Sequence, residues 1–106
     1  MSFLELHDIP EQEPMPGFRG RAIHTDTMTV VHWEITAGAE LPGHAHHHEQ
    51  MSNLLDGEFM MTVDGQTRHM KSGAVAVIKP HVVHSGRAVT DCRFLDVFRP
   101  VREDYK

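Results

Sequence analysis

Short runs rich in β-branched and aromatic residues recur along this chain, and most stop at a glycine, a proline or an Asp-Gly step. The clearest runs from Thr27 through Val30, Val31 and Trp33 to Thr36 and ends at Ala37-Gly38. Pro42-Gly43 marks a second break. Glu58 to Asp64, Gly65, then Gln66 to Met70 read as a hairpin closed by an Asp-Gly turn. Ala74 to Ile78 is short and wholly apolar, the pattern of a strand buried on both faces. Val82 to Val89 and Cys92 to Phe98 follow, separated by Thr90-Asp91, and Pro100 ends the last strand because it lacks a ladder N–H. Residues 1–15, carrying Pro10 and Pro14, read as an irregular lead-in, and residues 16–106 as one domain opening with an edge strand near Phe18 to Ile23. Helical periodicity with caps is missing. The expectation is an all-β chain folded as a closed or sandwiched barrel.

Composition narrows the function classes. At 106 residues the chain has room for one compact core. It shows no apolar run long enough for a bilayer and no secretory pattern at its start. Cys92 stands alone, which excludes an internal disulfide and suits a reducing cytoplasm, so a cytoplasmic location is expected. A formal net charge of −5 argues against a nucleic-acid partner, which would need clustered Lys and Arg. The outlier is histidine, with ten copies.

Four of those histidines, His44, His46, His47 and His48, fall within five positions, with Gln50 two residues on. On a strand, residues of equal parity share a face. His44, His46, His48 and Gln50 therefore point one way, and His47 and Glu49 the other. Two imidazoles two residues apart can grip one metal ion, and His84, from a later strand, is the natural fourth ligand. A solvated histidine loop is the plain alternative, and a frame slipped by one would make Glu49 the carboxylate ligand. His48 is left as a neighbour of the ligands. His7, His24, His32, His69 and His81 are better read as surface or packing residues.

The run Cys92 to Phe98 holds a second clue. Alternation sets Cys92, Phe94, Asp96 and Phe98 on one face, with Leu95 and Val97 on the other. A carboxylate among buried apolar residues is costly unless paired, hydrogen-bonded or used. Facing the barrel interior, Asp96 would be a general acid/base, and Arg102 could clamp a substrate carboxylate through its planar fork. The bland alternative pairs Asp96 with Arg87 or Arg93. Asp91, Glu103 and Asp104 are expected in solvent.

The first cluster resembles a known family. Gly38, five residues, His44-Ala-His46, three residues, Gln50, six residues, Gly57 is similar to the first cupin motif, in which Gln50 takes the place usually held by Glu. Gly73, Lys79, His81 and His84 match the second motif more loosely, with Lys79 and His81 where the motif has Pro and Gly. The resemblance implies a jelly-roll barrel of the cupin type. The segment from Gly86 to Tyr105 further resembles the small cupins that linearise unsaturated uronates in pectin and alginate breakdown. That likeness implies metal ligands His44, His46, Gln50 and His84, with Asp96, Phe98 and Arg102 as the other functional residues. It implies one divalent transition metal ion, which could be nickel, zinc, manganese or iron. The neutral amide leaves such a site more cationic than a carboxylate would, which favours an acidic sugar as substrate. The implied reaction opens a 4,5-unsaturated uronate monosaccharide to its 4-deoxy-5-keto form. A redox-metal dioxygenase and a non-catalytic sugar-acid or metal binder are the alternatives. A homodimer is expected from the family, with no membrane or nucleic-acid partner.

Overall fold

The computed structural model describes residues 2–106, which form two antiparallel sheets. One sheet has six strands, in the order β1 (Gln12–Met15), β2 (Phe18–His24), β3 (Thr29–Ile35), β10 (Cys92–Arg99), β5 (Glu49–Asp56) and β8 (Val75–Ile78). The other has four: β4 (Glu40–His44), β9 (His84–Ala88), β6 (Glu58–Val63) and β7 (Gln66–Lys71). Short 3-10 turns at Leu6–Asp8 and Glu103–Tyr105 flank them. The sheets stack as the all-β barrel that the pattern implied, in the jelly-roll form that the resemblance implied. Among the described residues, no helix is long and apolar enough to cross a membrane.

Alternation explains the packing. Thr29, Val31, Trp33 and Ile35 of β3 are buried, as are Cys92, Phe94, Asp96 and Phe98 of β10, so both strands turn one face inward. Their partners across the barrel include Phe59 and Met61 of β6. Phe59 meets Phe94 edge-on, with ring centroids 5.1 Å apart.

The hairpin forms as read, β6 pairing β7 from Glu58↔Lys71 to Val63↔Gln66. Asp64 and Gly65 both take positive φ, 50° and 77°, as the tight turn with strand-matching twist requires. Gly57 carries the chain from β5 in one sheet to β6 in the other. Its φ is +99°, and a Cβ there would stand 2.3 Å from the Asp91 carbonyl oxygen, so glycine is needed twice over.

Two expectations change. Ala74 to Ile78 is not buried on both faces: Val75 and Val77 are 51% and 67% exposed, while Ile78 is fully buried. β8 is the edge of a sheet with only one face against the core, so apolar side chains on its outer face meet water. The lead-in is not wholly irregular either. Gln12–Met15 pairs with β2, which makes β1 the edge strand, a position where Pro14 is tolerated.

Candidate metal centre

The histidine run does not lie on one strand. His44 ends β4 in the four-stranded sheet, residues 45–48 cross the barrel mouth, and Gln50 sits near the start of β5 in the six-stranded sheet. Shared parity therefore does not align these side chains; the crossing does. Within the four-stranded sheet, β4 and β9 pair with His44 opposite His84. The ligating nitrogens of His44, His46 and His84 all lie within 4.8 Å of one another, so these three could hold a metal ion. His81 steadies the crossing, its amide donating to the His46 carbonyl at 2.7 Å. It does so at φ 66°, which accounts for the glycine usual at that place in the second motif.

Each of the three imidazoles is oriented by a backbone carbonyl. The Nδ1 atoms of His44, His46 and His84 lie 2.9, 3.1 and 3.0 Å from the carbonyl oxygens of Pro42, His48 and Val82. With Nδ1–H donated, the Nε2 lone pairs face one another, as in protein metal sites. Burial pushes the His46 imidazole down to about 4, helped by the positive charge of Arg102 and by the mutual repulsion that protonating both His46 and His84 would bring. Burial lowers His84 likewise, with His44 and Arg102 adding to the effect. Neutral imidazoles are the ligating form.

Gln50 supplies a fourth inward atom. Its amide nitrogen donates to Ser52 Oγ at 2.9 Å and to Asp96 Oδ2 at 3.2 Å. That fixes the amide so that Oε1 lies 3.0 Å from His46 Nε2. Two lone pairs thus converge at a point where a cation satisfies both. His84 Nε2 is buried with no hydrogen-bond partner, a third lone pair that a cation would satisfy. The donor set fits a borderline divalent metal ion. Glu49 is exposed, so the slipped frame does not apply. His48 is buried, and it is its carbonyl, not its ring, that serves His46.

Asp96 lies 7% exposed beside this cluster. Burial raises its carboxyl to about 7, an effect that the nearby polar groups of Ser52 and Trp33, the charge of Arg102 and the hydrogen bond from Gln50 only partly offset. Oδ1 has no partner. Among the described residues no arginine pairs with it: Arg87 and Arg93 are exposed. Arg102 is buried, its guanidinium 4.7 Å from the Phe98 ring centroid and 4.3 Å from that of Tyr105. Its Nε and Nη2 hydrogens reach both oxygens of Asp104, at 2.9 and 2.7 Å. Asp104 is therefore more than a solvated acid, and these bonds hold its carboxyl below the usual range.

His44, Gln50, His84, Asp96, Phe98 and Arg102 all line one cavity of about 50 Å³ open at the barrel mouth. Ser52, Asp104 and Tyr105 are the neighbours that sequence reasoning missed. Ser52 shares parity with Gln50 and was findable. Asp104 and Tyr105 lie past the last strand, where alternation carries no information.

Residues 31–98 match the family model of the cupin domain. Among solved structures, an RmlC-like cupin from Shewanella frigidimarina NCIMB 400 is 28% identical, with a TM-score of 0.93 over 100% of this chain and 96% of that one. KdgF from Halomonas sp. is also 28% identical, with a TM-score of 0.91 over 100% and 99% of the two chains. Ectoine synthase from P. lautus shares the fold at 20% identity, with a TM-score of 0.84 over 96% of this chain and 80% of that one. The domain match spans more than half of the sequence, and the chain belongs to the cupin family.

Proposed function

We propose that this cupin is a metal-dependent enzyme that converts a 4,5-unsaturated uronate monosaccharide into its open-chain 4-deoxy-5-keto isomer. The observation that carries this reading is one cavity lined by His44, His84, Gln50, a buried carboxyl and a buried guanidinium, with His46 beside the two histidines. The resemblance to uronate-linearising cupins supports it, as does the full-length likeness to the Halomonas KdgF.

A divalent metal ion held by His44, His46, His84 and Gln50 would supply Lewis acidity toward substrate oxygens. The chain's own residues do the rest. Arg102 draws in the uronate carboxylate, and Phe98 offers the sugar ring an apolar wall. Asp96 accepts the proton of the C1 hydroxyl as the bond from C1 to the ring oxygen breaks, leaving a C1 aldehyde and a C5 enolate. The same carboxyl returns the proton to C4, which turns the enolate into the 5-ketone. Nothing is added or lost, so the reaction is an isomerisation. A carboxyl near neutrality is suited to both halves of that transfer.

The test follows loss of the C4–C5 double-bond chromophore with metal-loaded protein. Turnover well above the spontaneous rate is expected, and Asp96→Asn should slow it by about 10²–10⁴-fold. A wild-type rate no faster than the spontaneous one, or an Asp96→Asn variant equal to wild type, would sink the proposal. Oxygen uptake with iron or manganese would point to the redox reading instead.

A further inference from the structure

Arg102 does not lie on a strand. It follows Pro100 into the Glu103–Tyr105 turn, whose backbone bonds are internal, from Tyr105 N–H to the Arg102 carbonyl and from Lys106 N–H to that of Glu103. Something else must hold this segment on the barrel. Thr29, the first residue of β3, is fully buried and is the register partner of both His24 in β2 and Phe98 in β10. Its hydroxyl oxygen accepts the buried Arg102 amide N–H at 2.8 Å. The same hydroxyl lies 2.7 Å from His24 Nδ1. His24 Nε2 lies 3.3 Å from the Tyr105 carbonyl oxygen, which also accepts from Gln12 Nε2 at 3.0 Å.

One proton arrangement satisfies every group. His24 Nε2–H donates to the Tyr105 carbonyl, which leaves Nδ1 to accept the Thr29 hydroxyl hydrogen. The Thr29 oxygen then keeps a lone pair for Arg102 N–H. Side chains from three successive strands thus tie down both ends of the turn.

We propose that Thr29 is a positioning residue for Arg102, with His24 and Gln12 completing the anchor. This rests on the reading of Arg102 as the group that receives the substrate carboxylate. Asp104 and the rings of Phe98 and Tyr105 set the direction of the guanidinium, and Thr29 sets where its backbone begins. A charge-assisted contact depends steeply on placement, so a loosened backbone weakens substrate capture while the metal cluster, on other strands, is untouched.

The experiment compares Thr29→Val, which keeps the shape but loses the acceptor, with Thr29→Ser, which restores it. Thr29→Val should raise KM for the unsaturated uronate about tenfold, with kcat within about threefold of wild type and full metal content. Thr29→Ser should return KM to near the wild-type value. Hydrogen exchange at the Arg102 amide, read by NMR, should quicken in Thr29→Val and not in Thr29→Ser. Gln12→Leu, on the edge strand, gives a second reading should Thr29→Val fail to fold, with Arg102–Tyr105 amides again exchanging faster. Unchanged KM and exchange in a folded variant would overturn the proposal, as would a joint fall of kcat and metal content, which marks a structural role. Wild-type protein with no turnover would defeat the uronate reading alone, and amide exchange would still decide whether Thr29 holds Arg102.

Discussion

Strand β10 passes through two environments only two residues apart. Phe94 packs edge-on against Phe59 among the apolar side chains of the core, where the one titratable neighbour on its strand, Cys92, has its thiol pushed up by burial. Asp96, on the same face, shares its cavity with a glutamine, a serine and two imidazoles, and one of its carboxylate oxygens is unpartnered. The first end contributes stability through buried area. The second spends some of it, since an isolated carboxyl loses more by desolvation than its neighbours return. A cupin barrel of this size keeps its strained chemistry at one end because the other end carries the fold.

That contrast can be broken residue by residue. Phe94→Ala should cost about 3–5 kcal/mol in urea unfolding, through lost burial and the cavity left behind, while the purified protein keeps its metal. Asp96→Asn, two residues on, should lose no stability in metal-free protein, because it removes a buried charge with an orphaned oxygen. A large loss there would mean that Asp96 is a structural tie after all. Gly86→Ala tests the apolar end from the opposite direction. Its Cβ would stand 2.2 Å from Phe59 Cε2 and 2.8 Å from the Met60 carbonyl. Overpacking of about 1–3 kcal/mol is expected, seen as a lower unfolding midpoint.

Smaller effects sharpen the polar end. Ser52→Ala removes one of two acceptors that orient the Gln50 amide, so metal affinity should fall about tenfold in a competition titration with stability nearly unchanged. The smallest effect concerns Asp104. Arg102 holds its carboxyl below the ordinary 3.8, so its contribution is complete above that value and is lost as pH falls through the lowered one. Wild type should therefore exceed Asp104→Asn slightly in stability at neutral pH. The gap should close on acidification below about pH 4, measured as unfolding midpoints across a pH series.

Much of this is legible in the order of residues. The inward face of β10 follows from alternation, and so does the unusual place of Asp96 on it. The Asp64-Gly65 turn follows from backbone sterics alone. The match of His44, His46 and Gln50 to a motif points to residues that the fold does bring together, yet the parity argument for it fails, because parity along one strand does not describe a run that leaves one sheet and enters another. Residues 74–78 mislead because an apolar run reports composition, whereas its burial depends on whether the strand lies inside a sheet or at its edge.

By itself, then, the sequence determined several strands, among them β3, the β6–β7 hairpin and β10, which way their side chains alternate, and which donor atoms are on offer near the barrel mouth. These are properties of a few adjacent residues, set by φ/ψ sterics and side-chain size. The tertiary structure alone decided that His84 faces His44, that Asp104 pairs with Arg102, and that Thr29 anchors a turn 73 positions away. The first and last of these depend on the pairing of strands distant in sequence, and the Arg102–Asp104 pair on how the chain turns after β10, neither of which local alternation encodes.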